Sequence, residues 1–125
     1  MKKTLILFII MINFSYSMDC KTRLSLRELA CNLHHGNSCS FLGESYLRAL
    51  CTKQDKNKAI EFFKKACDYK NAEGCTLLGF VYMGWYNRDQ DIDNAIKFLK
   101  KACDYGDENG CINLKTMQIK KQNLN

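Results

Sequence analysis

Apolar residues recur three and four apart in two stretches of the chain, at Ala59, Phe62, Phe63, Ala66 and Cys67 and again at Ala95, Phe98, Leu99, Ala102 and Cys103. That spacing lays a wide apolar stripe along one side of a helix and predicts helices over 55–69 and 91–105. Asp55 and Asp91 stand just ahead of the stripes, where a short carboxylate caps the first free N–H groups and meets the positive end of the helix dipole. Between the stripes, residues 71–83 carry Cys75, Leu78, Gly79 and Tyr82 on one face. Gly84 and the polar run 87–90 close that segment, which predicts a shorter helix followed by a loop. The same pattern places helices over 21–33, 38–50 and 108–120, so six are expected after the N-terminal segment. Gly43 and Gly79 fall inside helical patterns, where glycine costs about 1 kcal/mol against alanine. Close approach of two helices is the expected compensation.

The apolar run 5–14 is of another kind. It follows Lys2 and Lys3 and precedes Ser15, Tyr16 and Ser17, which is the three-part pattern of a secretory signal cleaved after Ser17. The run is too short to span a bilayer, so no membrane span is expected. Lipid attachment at Cys20 is the alternative, but Ser17, Met18 and Asp19 lack the small residues such a site needs. The expected organisation is a signal peptide over 1–17 and one repeat domain over 18–125, soluble in the periplasm or outside the cell.

Sliding the chain on itself by 36 residues superposes Cys31, Cys67 and Cys103, and also Cys39, Cys75 and Cys111. The same shift lays 58–69 on 94–105 almost residue for residue, Gly43 on Gly79, Tyr46 on Tyr82 and Asp55 on Asp91. A period in the thirties means stacked supersecondary units. The predicted fold is all-α: a solenoid of helix-turn-helix repeats, with full repeats over about 37–72 and 73–108 flanked by half-repeats.

A chain of 125 residues with 46% apolar and 26% charged residues forms one compact domain. Its net charge of +6 includes Lys2 and Lys3 of the leader, and the remainder is too mild to argue a nucleic-acid partner. The eight cysteines of an exported chain read as a disulfide framework. Cys31 and Cys39, Cys67 and Cys75, and Cys103 and Cys111 each straddle a turn between two antiparallel helices, which predicts pairing across it. Cys20 and Cys51 then fall together at the far end of the first hairpin and close it. Zinc is rejected: no two cysteines stand two to four apart, and the only histidines, His34 and His35, are adjacent. No metal or cofactor is expected.

The segment 72–84, followed by Asp91 to Ala95 and by the run 98–106, resembles the Sel1-like repeat, a relative of the tetratricopeptide repeat. With its cysteine pairs the chain is similar to the Helicobacter cysteine-rich protein family. Lys115 in place of the repeat glycine and Arg23 in place of the helix alanine depart from the pattern, both in terminal half-repeats. The resemblance implies β-lactam binding and a weak β-lactamase activity. The residues supply no motif for it: no serine has a lysine three positions on, 21–23 and 115–117 both break the lysine-threonine-glycine pattern, and no catalytic residue is assigned. His34 and His35 are expected as solvated turn residues, and Glu44 and Glu73 as solubilising ones.

A binding surface is the alternative reading. With the core on Leu42, Gly43 and Tyr46 and on Leu78, Gly79 and Tyr82, the opposite face of the first helices presents Asn37, Ser40, Glu44, Leu47 and Arg48, then Glu73, Thr76, Phe80 and Met83. Asn109, Ile112 and Thr116 follow in the third copy. Phe80 and Met83 are expected as adaptable apolar contacts, unless Phe80 packs with Trp85 under the loop after Gly84. Such a groove suits a peptide, a peptidoglycan-derived or β-lactam ligand, or a protein partner, and its shortness leaves self-association open. Lys64, Lys65, Lys100 and Lys101 recur at the period and read as a solvated outer face.

Overall fold

The computed structural model describes residues 1–85 and 89–125, the side chains of 14–17 aside. Its elements are α1 (Lys2–Ser17), α2 (Cys20–Asn32), α3 (Gly36–Arg48), α4 (Lys56–Asp68), α5 (Ala72–Tyr82), α6 (Ile92–Asp104) and α7 (Glu108–Leu124). Helices α2 to α7 are the six read from the pattern, with α7 running on to Leu124. Helix α1 has no substantial packing against the rest and leaves Leu5, Ile6 and Phe8 exposed. Among the described residues no helix is long and apolar enough to cross a membrane. Part of the polar run 87–90, Asn87 and Arg88, lies outside the described residues.

The caps form where the carboxylates and amides stand. Asp55 accepts from Lys58 N at 2.9 Å, Asp91 from Asn94 N at 3.0 Å and Asn71 from Gly74 N at 2.7 Å. Each cap satisfies a helix N–H that has no partner within its own helix. The loops between paired helices share two equivalent bonds. The Asp55 and Asp91 N–H groups donate to the Tyr46 and Tyr82 carbonyls at 2.9 and 2.8 Å, and the Gln54 and Gln90 amides to the Leu47 and Met83 carbonyls at 2.8 and 3.2 Å.

Packing follows the same period. Tyr46 stacks on Phe62 with ring centres 5.6 Å apart and Tyr82 on Phe98 at 5.4 Å. A Cβ at Gly43 would lie 2.4 Å from the Phe63 ring, and one at Gly79 2.7 Å from Leu99, so the expected close approach is what these glycines permit. All four disulfides join the cysteines expected: Cys20 to Cys51, Cys31 to Cys39, Cys67 to Cys75 and Cys103 to Cys111, with Cα separations of 5.3, 4.8, 4.5 and 4.5 Å. Helices α3, α5 and α7 pack on one another in sequence, whereas α4 and α6 do not pack to the same extent. The stack is therefore tighter along its first helices.

Candidate binding surface

Asn37, Glu73 and Asn109 occupy one equivalent position near the start of α3, α5 and α7, and all three are exposed. Asn37 Oδ1 accepts a hydrogen bond from Asn71 Nδ2 at 2.6 Å. Asn71 Oδ1 in turn accepts from Ser40 Oγ at 2.6 Å besides capping α5. One repeat further on, Thr76 Oγ1 donates to Asp107 Oδ2, while Asp107 Oδ1 accepts from the Asn109 N–H at 3.1 Å.

These bonds correct the surface expected from the helix pattern. Ser40 and Thr76 are only 2% and 4% exposed, so they do not line an open groove. The start of the next first helix passes over each hydroxyl, and the hydroxyl ties the cap of that helix to its own repeat. In α7 the equivalent residue is Ile112, which is 55% exposed. Asn71 and Asp107 are therefore structural partners that the helix pattern did not single out. Their signal was present in the chain: a hydroxyl residue followed 31 positions later by Asn or Asp, twice.

The apolar part of the expected groove is also covered. Phe80 and Met83 are half-buried and join the cluster of Ala95, Leu99 and Met117. Phe80 stacks on Trp85 at 4.3 Å, which is the packing alternative named above. Trp85, 49% exposed, takes the place of Phe80 as the aromatic at the surface. Leu47 belongs to the core, and Glu44 faces Arg48 one turn away at 3.7 Å. An ion pair as exposed as this adds little stability. Thr116 is exposed and donates to the Ile112 carbonyl at 3.2 Å.

The remaining candidates sit as solvated residues. His34 tilts against the Tyr69 ring at 4.6 Å, and His35 precedes α3 without capping it through its side chain. Lys65 and Lys101 lie over the rings of Phe62 and Phe98, and Lys100 pairs with Asp104 at 2.9 Å. A hydrogen bond to Tyr46 raises the Lys58 pKa above its ordinary value. The Asn94 backbone N–H, donating to Asp91, holds that carboxyl below the usual carboxylate range. Among the described residues no buried side-chain polar atom lacks a partner.

The repeated geometry has a counterpart in sequence: residues 36–68 and 72–107 match the Sel1 repeat. The chain belongs to the Sel1 repeat family. Its fold is similar to that of cysteine rich protein B of Helicobacter pylori, with a TM-score of 0.71 and 30% identity over 77% of this chain and 72% of that one. A Sel1 repeat protein from Oxalobacter formigenes shares the fold at a TM-score of 0.67 and 15% identity, over 73% of this chain and 37% of the other. No curated protein matches the chain. The two matched Sel1 segments begin at α3 and α5, so each contains one first helix and the second helix disulfide-bonded to the next repeat.

Proposed function

We propose that the chain is an exported binding scaffold whose concave face engages an extended peptide, either a protein segment or the peptide of a cell-wall fragment. The observation that carries this is the row of Asn37, Glu73 and Asn109, one exposed polar residue per repeat on α3, α5 and α7. The Asn37 and Asn109 carboxamides carry both donor and acceptor groups and the Glu73 carboxylate accepts, so such a row suits the alternating N–H and C=O groups of an extended backbone. Trp85 and Ile112 offer apolar contact in the same half of the stack. Export is supported by four disulfides, which persist in oxidising compartments. It is supported too by α1, whose apolar side chains stay exposed. On this reading 1–17 is the signal peptide, and mass spectrometry of the exported chain finds Met18 at its N-terminus.

Hydrolysis of a β-lactam, which the resemblance to the cysteine-rich proteins implies, stands second. A hydroxyl nucleophile needs an adjacent base and an open approach. Ser40 and Thr76 are instead buried and donate to Asn71 and Asp107. Random peptides selected on the oxidised protein decide the first reading. Replacing Asn37, Glu73 and Asn109 by alanine, with the fold intact by circular dichroism, abolishes their binding if the concave row holds them. Peptides indifferent to the triple replacement refute the assignment. A chromogenic β-lactam is expected to show no turnover above buffer, and turnover that follows the folded protein would reverse the order of the two readings.

A further inference from the structure

The first half-repeat departs from the period at two neighbouring positions. Arg23 and Arg27 stand where the full repeats have Ala59 and Ala95, and Phe63 and Leu99. In the full repeats these positions seat the first helix: Phe63 and the Ala59 carbonyl lie against Gly43, and Leu99 lies against Gly79. Helix α2 is a second helix on which no first helix of its own repeat packs. Beside it lies a cavity of about 520 Å³ whose lining includes Arg23, Leu26, Arg27, Ala30, Ser38 and Phe41. One period on, those six are Ala59, Phe62, Phe63, Ala66, Gly74 and Leu77. There Phe62 stacks on Tyr46 of α3, and a Cβ at Gly74 would stand 3.0 Å from Ser40 Oγ of α3. The cavity therefore has the shape of a groove for a first helix, open at the N-terminal end of the stack.

We propose that this groove binds an amphipathic helix of a partner protein, laid with its apolar face on Leu26, Ala30 and Phe41 and presenting a carboxylate to Arg27. Leu26 and Phe41 are 48% and 44% exposed, an apolar floor that a purely polar cap of a solenoid does not need. Arg27 lies over the Phe41 ring, 4.9 Å from its centre, and none of the ion pairs among the described residues includes it. Charge selects the occupant. Helix α7 of a second copy, seated as a first helix, would set Lys115 against Arg27, because Lys115 holds the position of Gly43 and Gly79. The chain's own α1 has only Lys2 and Lys3 as charged side chains. The α7 occupant brings cation to cation, and α1 would set Leu7, one period before Gly43, there and leave the guanidinium unpaired, whereas a carboxylate gains a charge-assisted bond with it. This site is separate from the concave row and stands whether or not that row binds peptide.

The test uses two synthetic peptides with the α3 sequence Gly36–Arg48, both carrying Cys39→Ser, one with Gly43→Glu and the other with Gly43→Lys. Glutamate and lysine have similar helix propensity, so the pair differs in charge at the residue facing Arg27. Titrated into the isotope-labelled oxidised protein, the Glu peptide is expected to give saturable NMR shifts at Arg23, Leu26, Arg27, Ala30 and Phe41. Its affinity should exceed that of the Lys peptide by about tenfold, and the gap should narrow as salt is raised. In the Arg27→Glu protein the preference inverts, and in Arg27→Gln, the milder change should Arg27→Glu fail to fold, it disappears. Equal affinity of the two peptides overturns the proposal, as do shifts confined to Asn37, Glu73 and Asn109 or the absence of saturation. A protein mass that doubles with concentration, with the same residues shifted, would place a second copy in the groove and overturn it as well.

Discussion

His34, Lys70 and Gly106 share a positive φ, of 68°, 59° and 95°, at the turn where each second helix passes into the next first helix. A left-handed backbone costs a residue with a Cβ roughly 1–2 kcal/mol, so only Gly106 escapes the penalty. A Cβ built on Gly106 meets nothing within 4 Å, and Gly106→Ala therefore isolates the backbone effect. The expected loss is about 1 kcal/mol by urea denaturation, and no loss would mean that the turn relaxes to another conformation. Asp91 gives a second test at this scale, because its folded pKa is depressed by the Asn94 N–H. A group depressed on folding contributes stability above its unfolded pKa and loses it as pH falls through the folded one. Asp91→Asn keeps a capping side chain but cannot titrate. The stability advantage of the unmodified protein over this variant should thus shrink only below about pH 4. Both the caps and the turns were legible in the chain, since each depends on residues three or four positions apart. The shared left-handed turn was not, because His34, Lys70 and Gly106 have no side-chain chemistry in common.

Paired helices are held by small residues set against large ones. Phe63 is fully buried and the Cβ of an alanine at position 43 would sit 2.4 Å from its ring, so Gly43→Ala forces a buried side chain to move. Overpacking of this kind costs about 1–3 kcal/mol, the upper end being expected here, and a joint Gly43→Ala, Phe63→Leu replacement should recover part of it. Calorimetric melting of the two variants checks this. The bond from Thr76 to Asp107 joins successive repeats, and Thr76→Val removes it while keeping the shape. A hydrogen bond to a charged group is worth about 1.5–3 kcal/mol, and a loss in that range is expected. If Thr76→Val leaves the melting temperature unchanged, the inter-repeat tie carries no stability. The glycine positions announced this packing in the sequence because glycine within an apolar helical stripe has few other causes. The faces of Ser40 and Thr76 did not, since a helix pattern cannot say where the following repeat will lie.

Across the whole molecule the four disulfides bind neighbours in a fixed order: three close the turns between successive repeats, and Cys20 to Cys51 closes the first hairpin at its open end. The last encloses the longest loop, with a separation of 31 residues, and in the chain-entropy model is worth about 3–4 kcal/mol. Replacing Cys20 and Cys51 together by serine is expected to lower stability by that amount. Because α2 ends the stack, early hydrogen exchange should appear in α2 before α4 or α6. Protection uniform across all six helices would show that the stack opens as one unit. The sequence by itself determined the period, the helices, their caps and the disulfide partners, because each is set by spacing along the chain or by a shift of one repeat. The tertiary structure alone decided which of the remaining residues meet water. Asn71 and Asp107 come over Ser40 and Thr76, Trp85 covers Phe80, and Arg27 stays at the surface because no first helix of its own repeat packs on α2, and burial of this kind depends on the neighbouring element rather than on the residue itself.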